Sequence, residues 1–256
     1  MEPLQIVAAL GSGVMVGFTL GLIGGGGSVL AVPLLLYVVG MPDPHQAIGT
    51  SALAVAVNAF ANVVPHARAH HVRWRPALIF AAAGLVGAFV GSSIGKIVDG
   101  HRLLILFALL MLVIAGLMLR GRKGDAGVAG TDRRENLWRL SGTGLGVGTI
   151  AGFYGIGGGF LVVPGLILAT GMPTIAAIGS SLVAVGVFGM TTAVNYAVSG
   201  LVVWPIALLF IAGGIAGGWF GARLAKHLAA QRQTLTRVLG CVLVVVAAYM
   251  LYRSFA

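Results

Sequence analysis

Long apolar segments separated by short polar connections make up almost the whole chain. The apolar segments lie at 4–23, 28–40, 44–64, 76–95, 103–119, 137–154, 159–171, 174–199, 203–224 and 235–252. Most of them reach the ~17–25 residues that a membrane-spanning helix needs, whereas 28–40 and 159–171 are shorter. The pattern predicts an all-α polytopic membrane protein, with a first transmembrane repeat at 1–120, a cytoplasmic linker at 121–136 and a second transmembrane repeat at 137–256.

Short motifs of the first half recur in the second half. At an offset of 131 or 130 residues the aligned pairs are Val32-Pro33 with Val163-Pro164, Gly40-Met41-Pro42 with Gly171-Met172-Pro173, Gly49-Thr50-Ser51 with Gly179-Ser180-Ser181, and Trp74 with Trp204. Shared hydrophobicity does not align prolines and a tryptophan, so we infer an internal duplication. Each copy is predicted to hold a glycine-broken helical hairpin followed by three transmembrane helices.

The charges of one connection indicate how the copies are oriented. In the first copy, the connection from His66 to Arg75 carries three arginines, whereas its counterpart from Tyr196 to Pro205 carries no charge. Cytoplasmic loops are enriched in lysine and arginine, so the first connection is predicted to be cytoplasmic and the second external. The two copies then have opposite orientations, with both termini outside. Such inverted repeats are the build of many secondary transporters.

The amino-acid composition agrees with a membrane location and limits the classes of molecule that the protein is expected to contact. Only 9% of the residues are charged, against about 25% in soluble domains. The net charge of +10 comes from basic residues in short loops beside apolar segments, so we expect contact with membrane lipids and not with nucleic acid. The sequence leaves the oligomeric state open, a homodimer included.

Glycines occur in two different patterns. Spaced four residues apart, they form stripes that predict close helix packing in lipid, at Gly13, Gly17, Gly21, Gly87, Gly91, Gly95, Gly213, Gly217 and Gly221. Consecutive glycines instead break an apolar segment once in each copy. The candidate substrate-binding residues of these breaks are Gly24, Gly25, Gly26, Gly27, Ser28, Gly155, Gly157, Gly158 and Gly159.

The glycine breaks are predicted to form two halves of one anion site near the middle of the membrane. A helix that starts at Ser28 or near Gly159 would direct free N–H groups and a positive dipole end into the bilayer. No strand precedes either break and no Gly-Lys-Ser/Thr follows, which excludes a nucleotide-binding loop. The alternative is a break with a purely structural role.

The third segment of each copy supplies polar side chains for the same site. Asp43-Pro44 predicts an N-cap for this segment in the first copy. The candidate lining residues are Thr50, Ser51, Ser180 and Ser181, with Asn58, Asn62, Asn195 and Tyr196 along the path. Asn58 and Asn62 are four residues apart and therefore share a helix face. Serine and threonine hydroxyls also bond back to their own helix, which remains the alternative.

Several chemistries are absent from the apolar segments. All six acidic residues lie at the N-terminus or in connections, namely Glu2, Asp43, Asp99, Asp125, Asp132 and Glu135. Proton-coupled carriers commonly keep a carboxylate inside the membrane, so a neutral or anionic solute is favoured. His66 and His70 lack acidic or cysteine neighbours, and no nucleophile–base set occurs at membrane depth. We therefore expect no metal, no cofactor and no enzymatic activity.

The two glycine motifs resemble those of a known family. Residues 21–33 and 152–164, together with the Gly-Thr-Ser and Gly-Ser-Ser segments, are similar to the sulfite exporter TauE/SafE family, also called the toluene sulfonate uptake permease family. The resemblance implies transport of sulfite, sulfoacetate or other organosulfonates across the bacterial inner membrane. We expect a secondary transporter acting as an exporter. An anion channel and a proton-coupled uptake permease for another small organic anion are the alternatives.

Overall fold

The computed structural model of the chain describes residues 2–23, 25–119, 136–227 and 232–255. Within these ranges the regular structure is helical. The α-helices are α1 (Pro3–Ile23), α2 (Ala31–Tyr37), α3 (Pro44–Arg68), α4 (Trp74–Ile97), α5 (Gly100–Leu119), α6 (Leu137–Tyr154), α7 (Gly159–Thr170), α8 (Thr174–Val198), α9 (Trp204–His227) and α10 (Arg232–Phe255). A 3-10 helix, Gly25–Leu30, precedes α2.

The helices follow the apolar segments of the sequence closely. In the described ranges, seven are long and apolar enough to cross a membrane, namely α1, α3, α4, α5, α8, α9 and α10. The helices α2 and α7 are short, as the segment lengths predict. These helices confirm the prediction of an all-α polytopic protein. The predicted linker at 121–136 lies outside the described residues except for Asn136.

Local signals in the sequence set several helix ends. Asp43 is the N-cap of α3, and its carboxylate accepts a hydrogen bond of 2.8 Å from the backbone N–H of His45. Pro44 fills the first position of the helix, where its missing N–H costs nothing. At the other end, His70 adopts a positive φ of 55° and reverses the chain before α4. The predicted N-cap is confirmed.

Glycine stripes bring two pairs of helices into backbone contact. In α1, a Cβ added to Gly13 or Gly17 would collide with the backbone of Phe210 or Gly214 in α9. The contacts advance in the same direction along both helices, so α1 and α9 run parallel. In α4, Gly87, Gly91 and Gly95 lie in the same way against α6, at Leu145, Thr149 and Phe153. The prediction of close helix packing at these glycines is confirmed.

The helices α3 and α8 cross at the centre of the molecule. Gly49 near the start of α3 lies against Tyr196 near the end of α8, whereas Gly186 in α8 lies against Phe60 further along α3. The two helices are therefore antiparallel. The helix α4 also packs on α8, and α9 packs on α3. The pair α5 and α10 contact each other.

Each copy begins with a helical hairpin that contains its glycine break. The Gln5 side chain donates a hydrogen bond to the carbonyl of Val39, 3.3 Å, so the chain returns after α2 to the level where α1 began. The predicted start of a helix at Ser28 is wrong, because residues 25–30 form a 3-10 helix and α2 begins at Ala31. Gly27 lies directly against Thr19 of α1, which leaves no room for a side chain. Gly24 lies outside the described residues.

The helix ends form two faces. The α3–α4 turn at 69–73 lies beside the start of α8, since Gly179 packs on the carbonyl of His71. We call this the predicted cytoplasmic face. The α8–α9 turn at 199–203 lies beside the start of α3, where Gly49 packs on the carbonyl of Leu201. We call this the predicted outer face.

Candidate functional site

The second glycine break lies at mid-length of the two central helices. A Cβ on Gly157 would lie 3.1 Å from Val185 and 3.2 Å from Val55. Val55 is residue 12 of the 25 in α3, counted from Pro44, and Val185 is residue 12 of the 25 in α8, counted from Thr174. Both helices are long enough to span a bilayer, so the break lies near the middle of the predicted membrane region.

Glycine is required in this break for its backbone shape. Gly155, Gly157 and Gly158 have φ angles of 66°, 63° and 67°, in the left-handed region that side chains with a Cβ disfavour. A Cβ on Gly158 would also lie 2.5 Å from that of Ala151. The helix α7 begins at Gly159, as predicted. No side chain caps this helix start, and the N–H groups of Leu161 and Val162 donate to the Gly158 carbonyl at 2.8 and 2.9 Å.

Thr50 and Ser180 lie at opposite faces of the protein. The Thr50 hydroxyl accepts a hydrogen bond of 3.0 Å from the backbone N–H of Val203, just before α9. The Ser180 hydroxyl accepts one of 2.9 Å from the N–H of Arg73, just before α4. Both side chains are fully buried. The structure therefore does not bring these two predicted lining residues together; each holds a turn between helices.

Ser51 and Ser181 bond back to their own helices. Their hydroxyls donate to the carbonyls of Ile48 at 2.9 Å and Ile178 at 2.7 Å, and both serines are fully buried. Each hydroxyl keeps its oxygen as an acceptor but has used its single proton. Ser28, which belongs to the first glycine break, is also fully buried.

Asn58 and Asn62 form a polar column on the side of α3 that faces α9. Asn58 lies on Gly214 and Asn62 on Gly218, which agrees with the predicted shared face. The Asn62 side chain donates to the Asn58 carbonyl at 2.8 Å. Asn58 is fully buried, and neither polar atom of its carboxamide has a hydrogen-bond partner within the described ranges. The column continues to His66, whose Nδ1 lies 3.0 Å from the Asn62 carbonyl.

The equivalent face of α8 is more aromatic. At an offset of 130 residues, Asn58, Asn62 and His66 correspond to Phe188, Thr192 and Tyr196. Thr192 and Tyr196 are fully buried, and their hydroxyls have no hydrogen-bond partner in the described part of the chain. Tyr196 lies beside His45, with ring centroids 6.5 Å apart. Thr192 was not among the predicted site residues, although its position four residues before Tyr196 was a usable signal.

Asn195 belongs to a polar network that joins α4 to α8 at the predicted outer face. The Lys96 ammonium donates to the Asn195 carbonyl at 3.1 Å, to its side-chain oxygen at 2.8 Å and to the Ser199 hydroxyl at 2.9 Å. The Asn195 amide in turn donates to Ser92 at 2.7 Å and to Ser93 at 3.0 Å. Lys96 was not predicted as a site residue. Its recurrence as Lys226 in the second copy was the signal available in the sequence.

A cavity of about 540 Å³ opens beside Lys96 at the predicted outer face. The two acidic residues that line the cavity each accept hydrogen bonds from the start of a helix. Asp43 caps α3, and the Asp99 carboxylate accepts a hydrogen bond of 3.1 Å from the N–H of His101 at the start of α5. The Lys96 ammonium, in contrast, has only neutral oxygen partners within the described residues. The cavity therefore contains a cation that has no carboxylate partner among the described residues, next to two capped helix ends.

Comparison with known proteins identifies the group to which the chain belongs. The sequence profile of the sulfite exporter TauE/SafE family matches residues 9–250. The chain belongs to the sulfite exporter TauE/SafE family. The match covers nearly the whole chain, and it confirms the resemblance that the glycine motifs indicate. Members of the TauE/SafE family are membrane transporters and not enzymes, so this chain is a multi-pass membrane transporter.

Several curated relatives of this TauE/SafE protein match it over nearly the full length. A "probable membrane transporter protein" of Xylella fastidiosa (strain Temecula1) is 54% identical over 256 residues, which cover 98% of this chain and 97% of the relative. The "probable membrane transporter protein YunE" of Bacillus subtilis (strain 168) is 27% identical over 263 residues, with 94% and 96% covered. No solved structure matches the chain.

Proposed function

We propose that this TauE/SafE protein is a secondary transporter that exports small sulfur-containing anions, sulfite or an organosulfonate, across the bacterial inner membrane. The observation that carries the proposal is the second glycine break, which places the uncapped start of α7 at the crossing of α3 and α8. An uncapped helix start at this depth attracts negative charge without requiring a buried cation. The family description supports sulfite or a related anion as the solute.

The helix directions support an inverted repeat. The helices α1 and α9 are parallel, α4 and α6 are parallel, and α3 and α8 are antiparallel. Because short turns reverse the chain from α3 to α4 and from α8 to α9, α1, α3 and α9 run one way while α4, α6 and α8 run the other. Every first-copy helix in this set therefore opposes its second-copy counterpart. Rocking of one copy against the other would provide alternating access.

Polar side chains along the two central helices support a path in two halves. On α3, the column from Asn58 through Asn62 to His66 runs between α3 and α9 toward the predicted cytoplasmic face. On α8, Thr192 and Tyr196 run toward the predicted outer face, where Lys96 lies. The two halves meet near the α3–α8 crossing, at the glycine break.

The surface supports lipid contact around this core. Three tryptophans lie at the starts of helices: Trp74 is the first residue of α4, Trp138 the second residue of α6 and Trp204 the first residue of α9. They are 50%, 88% and 57% exposed. Tryptophans at helix ends are typical of the membrane–water interface. Exposed leucines, isoleucines and valines occur along α4, α5 and α9, on the sides turned away from the core.

Flux into and out of proteoliposomes tests the proposal. Purified protein should carry sulfite or methanesulfonate with saturation, and unlabelled anion on the opposite side should accelerate uptake of the labelled anion, as expected for a carrier. The same anions should also raise the thermal unfolding midpoint. At an anion concentration of a hundred times Kd, binding stabilises the folded protein by about 2.7 kcal/mol. Linear flux without counterflow would identify a channel. Absence of both flux and stabilisation with every sulfur anion would contradict the proposal.

A further inference from the structure

One pair of equivalent positions in the two copies differs in chemistry at the centre of the path. Asn58 of α3 and Phe188 of α8 are related by the offset of 130 residues, and each lies on a glycine of the neighbouring helix, Gly214 or Gly84. In the second copy, the Phe188 ring fills this position and stacks on Phe80, with centroids 6.1 Å apart. In the first copy, the same position holds a carboxamide.

The Asn58 carboxamide has unused hydrogen-bonding capacity in a fully buried position. It offers two N–H donors and one carbonyl acceptor, none of which has a partner among the described residues. Its neighbour Asn62 has the same side chain but donates to the Asn58 backbone. Buried polar groups in proteins are almost always paired, so an unpaired carboxamide on a transport path points to a partner that arrives during transport.

We propose that Asn58 binds the solute at mid-depth and selects the singly protonated, singly charged form of a small oxyanion, such as hydrogensulfite. The inference rests on the proposed function and specifies the form of its substrate. The binding site is one-sided, because Phe188 fills the equivalent position in the second copy. The two N–H donors meet oxyanion oxygens, and the carboxamide oxygen accepts the proton of the ligand. The sulfite dianion has no proton to donate, so its oxygens would be repelled by the carboxamide oxygen.

The charge distribution around Asn58 also favours a single negative charge. The helix α3 has no charged side chain between Asp43 and Arg68, and α1 and α8 have none at all. Transfer of an ion from water into such surroundings costs more as its charge rises, and these parts of α1, α3 and α8 carry no cation to compensate. His66 is the titratable group on the same face, and the first charged residue of α9 is Arg223.

The pH dependence of flux provides the first test. Sulfite flux in proteoliposomes is measured at equal pH on both sides, a clamped membrane potential and constant total sulfite, across the pH range in which hydrogensulfite loses its proton. Flux should fall about tenfold for each pH unit above that transition. Methanesulfonate keeps one charge throughout but has no proton to donate to the carboxamide oxygen, so its flux should be lower than that of hydrogensulfite and constant with pH. That constancy controls for titration of His66 and other protein groups. Sulfite flux that stays level or rises with the dianion would overturn the inference.

The variant Asn58→Leu tests the residue itself. Leucine has a similar size and no polar atoms, so we expect sulfite flux to fall at least tenfold while the unfolding midpoint stays equal or rises. Thr191→Val is the matched control, because Thr191 donates to the carbonyl of Val187 at 2.8 Å within its own helix. Its flux should match that of the wild type.

The other outcomes distinguish this inference from the proposed function. Unchanged flux in Asn58→Leu would overturn the role of Asn58 while leaving sulfur-anion transport in place. Loss of folded Asn58→Leu protein would make the carboxamide structural and would also overturn it. A wild-type protein that moves neither sulfite nor methanesulfonate would instead contradict the proposed function.

Discussion

Thr50 and Ser180 are buried hydroxyl residues at equivalent positions of the two copies, and they form hydrogen bonds at opposite faces of the protein. Thr50 accepts from the N–H of Val203 and Ser180 accepts from the N–H of Arg73, so each side chain satisfies a backbone donor in a turn between helices. An unpaired buried backbone N–H costs as much as a lost hydrogen bond. The Gly-Thr-Ser and Gly-Ser-Ser motifs therefore have a structural use that accounts for the first hydroxyl in each.

We predict that Thr50→Val lowers stability and leaves transport by the remaining folded protein close to normal. Valine has the same shape but cannot accept the hydrogen bond of Val203, which costs about 1–3 kcal/mol. Thermal unfolding in detergent and flux per folded molecule measure the two effects, with Ser180→Ala as the equivalent change at the opposite face. Loss of flux at unchanged stability would instead assign Thr50 to the solute path.

At the scale of elements, the two glycine breaks differ although their sequences are similar. The first break is a 3-10 helix that continues into α2, and the second has three glycines in the left-handed region before α7. The 3-10 form lets Gly27 lie against Thr19 of α1. In the second copy, Tyr154 occupies the position of Ile23 and closes α6 before a left-handed Gly155. The α-helix start that we propose to attract the anion therefore belongs to the second copy.

Two glycines of α6 provide a matched test of helix packing. A Cβ on Gly148 would collide with the backbone of Gly84 in α4, whereas Gly146 has open space around it. We predict that Gly148→Ala separates α6 from α4 and destabilises the protein by about 1–3 kcal/mol. Gly146→Ala should stabilise the helix by about 0.5–1 kcal/mol. Unfolding midpoints in detergent measure both, and equal midpoints would mean that the α4–α6 contact is looser than described.

At the scale of the whole molecule, the proposed inverted repeat predicts which turns face each side of the membrane. In a Cys241→Ser background, single cysteines at Ala69 and Val198 place a thiol on each face, and both positions are exposed. A membrane-impermeant thiol reagent added to intact cells should label the Val198 variant and spare the Ala69 variant until the cells are opened. Labelling of Ala69 in intact cells would remove the basis for the proposed orientation.

The distribution of charge over the whole molecule predicts electrogenic transport. The described acidic residues, Glu2, Asp43 and Asp99, all lie at helix ends, so no carboxylate is available within these helices for a proton relay. Each negative charge that leaves a negative cell interior gains about 2.3 kcal/mol per 100 mV. We therefore expect a potassium–valinomycin potential to drive sulfite or methanesulfonate flux at equal pH. Flux that follows an imposed pH gradient and ignores the potential would indicate proton coupling.

The sequence alone determined the long helices, several of their ends and the family. Apolar length and flanking polar residues define α6 at 137–154, and Asp43-Pro44 defines the start of α3. These features depend on neighbours along the chain: hydrophobic span, capping and the cost of glycine. Glycines at four-residue spacing also predicted which helix faces pack closely, because this spacing alone places them on one side of a helix.

Only the tertiary structure decided which polar side chains already have hydrogen-bond partners within the protein. The partner of Thr50 is 153 residues away along the chain, and the partner of Lys96 is 99 residues away. Whether a hydroxyl holds a turn or faces a solute depends on which helices pack together. Local sequence can mark the face of a helix that packs closely, but it does not identify the helix that packs against it. Asn58 and Asn62 look alike in the sequence, but packing against α9 leaves only the Asn58 carboxamide without a partner among the described residues.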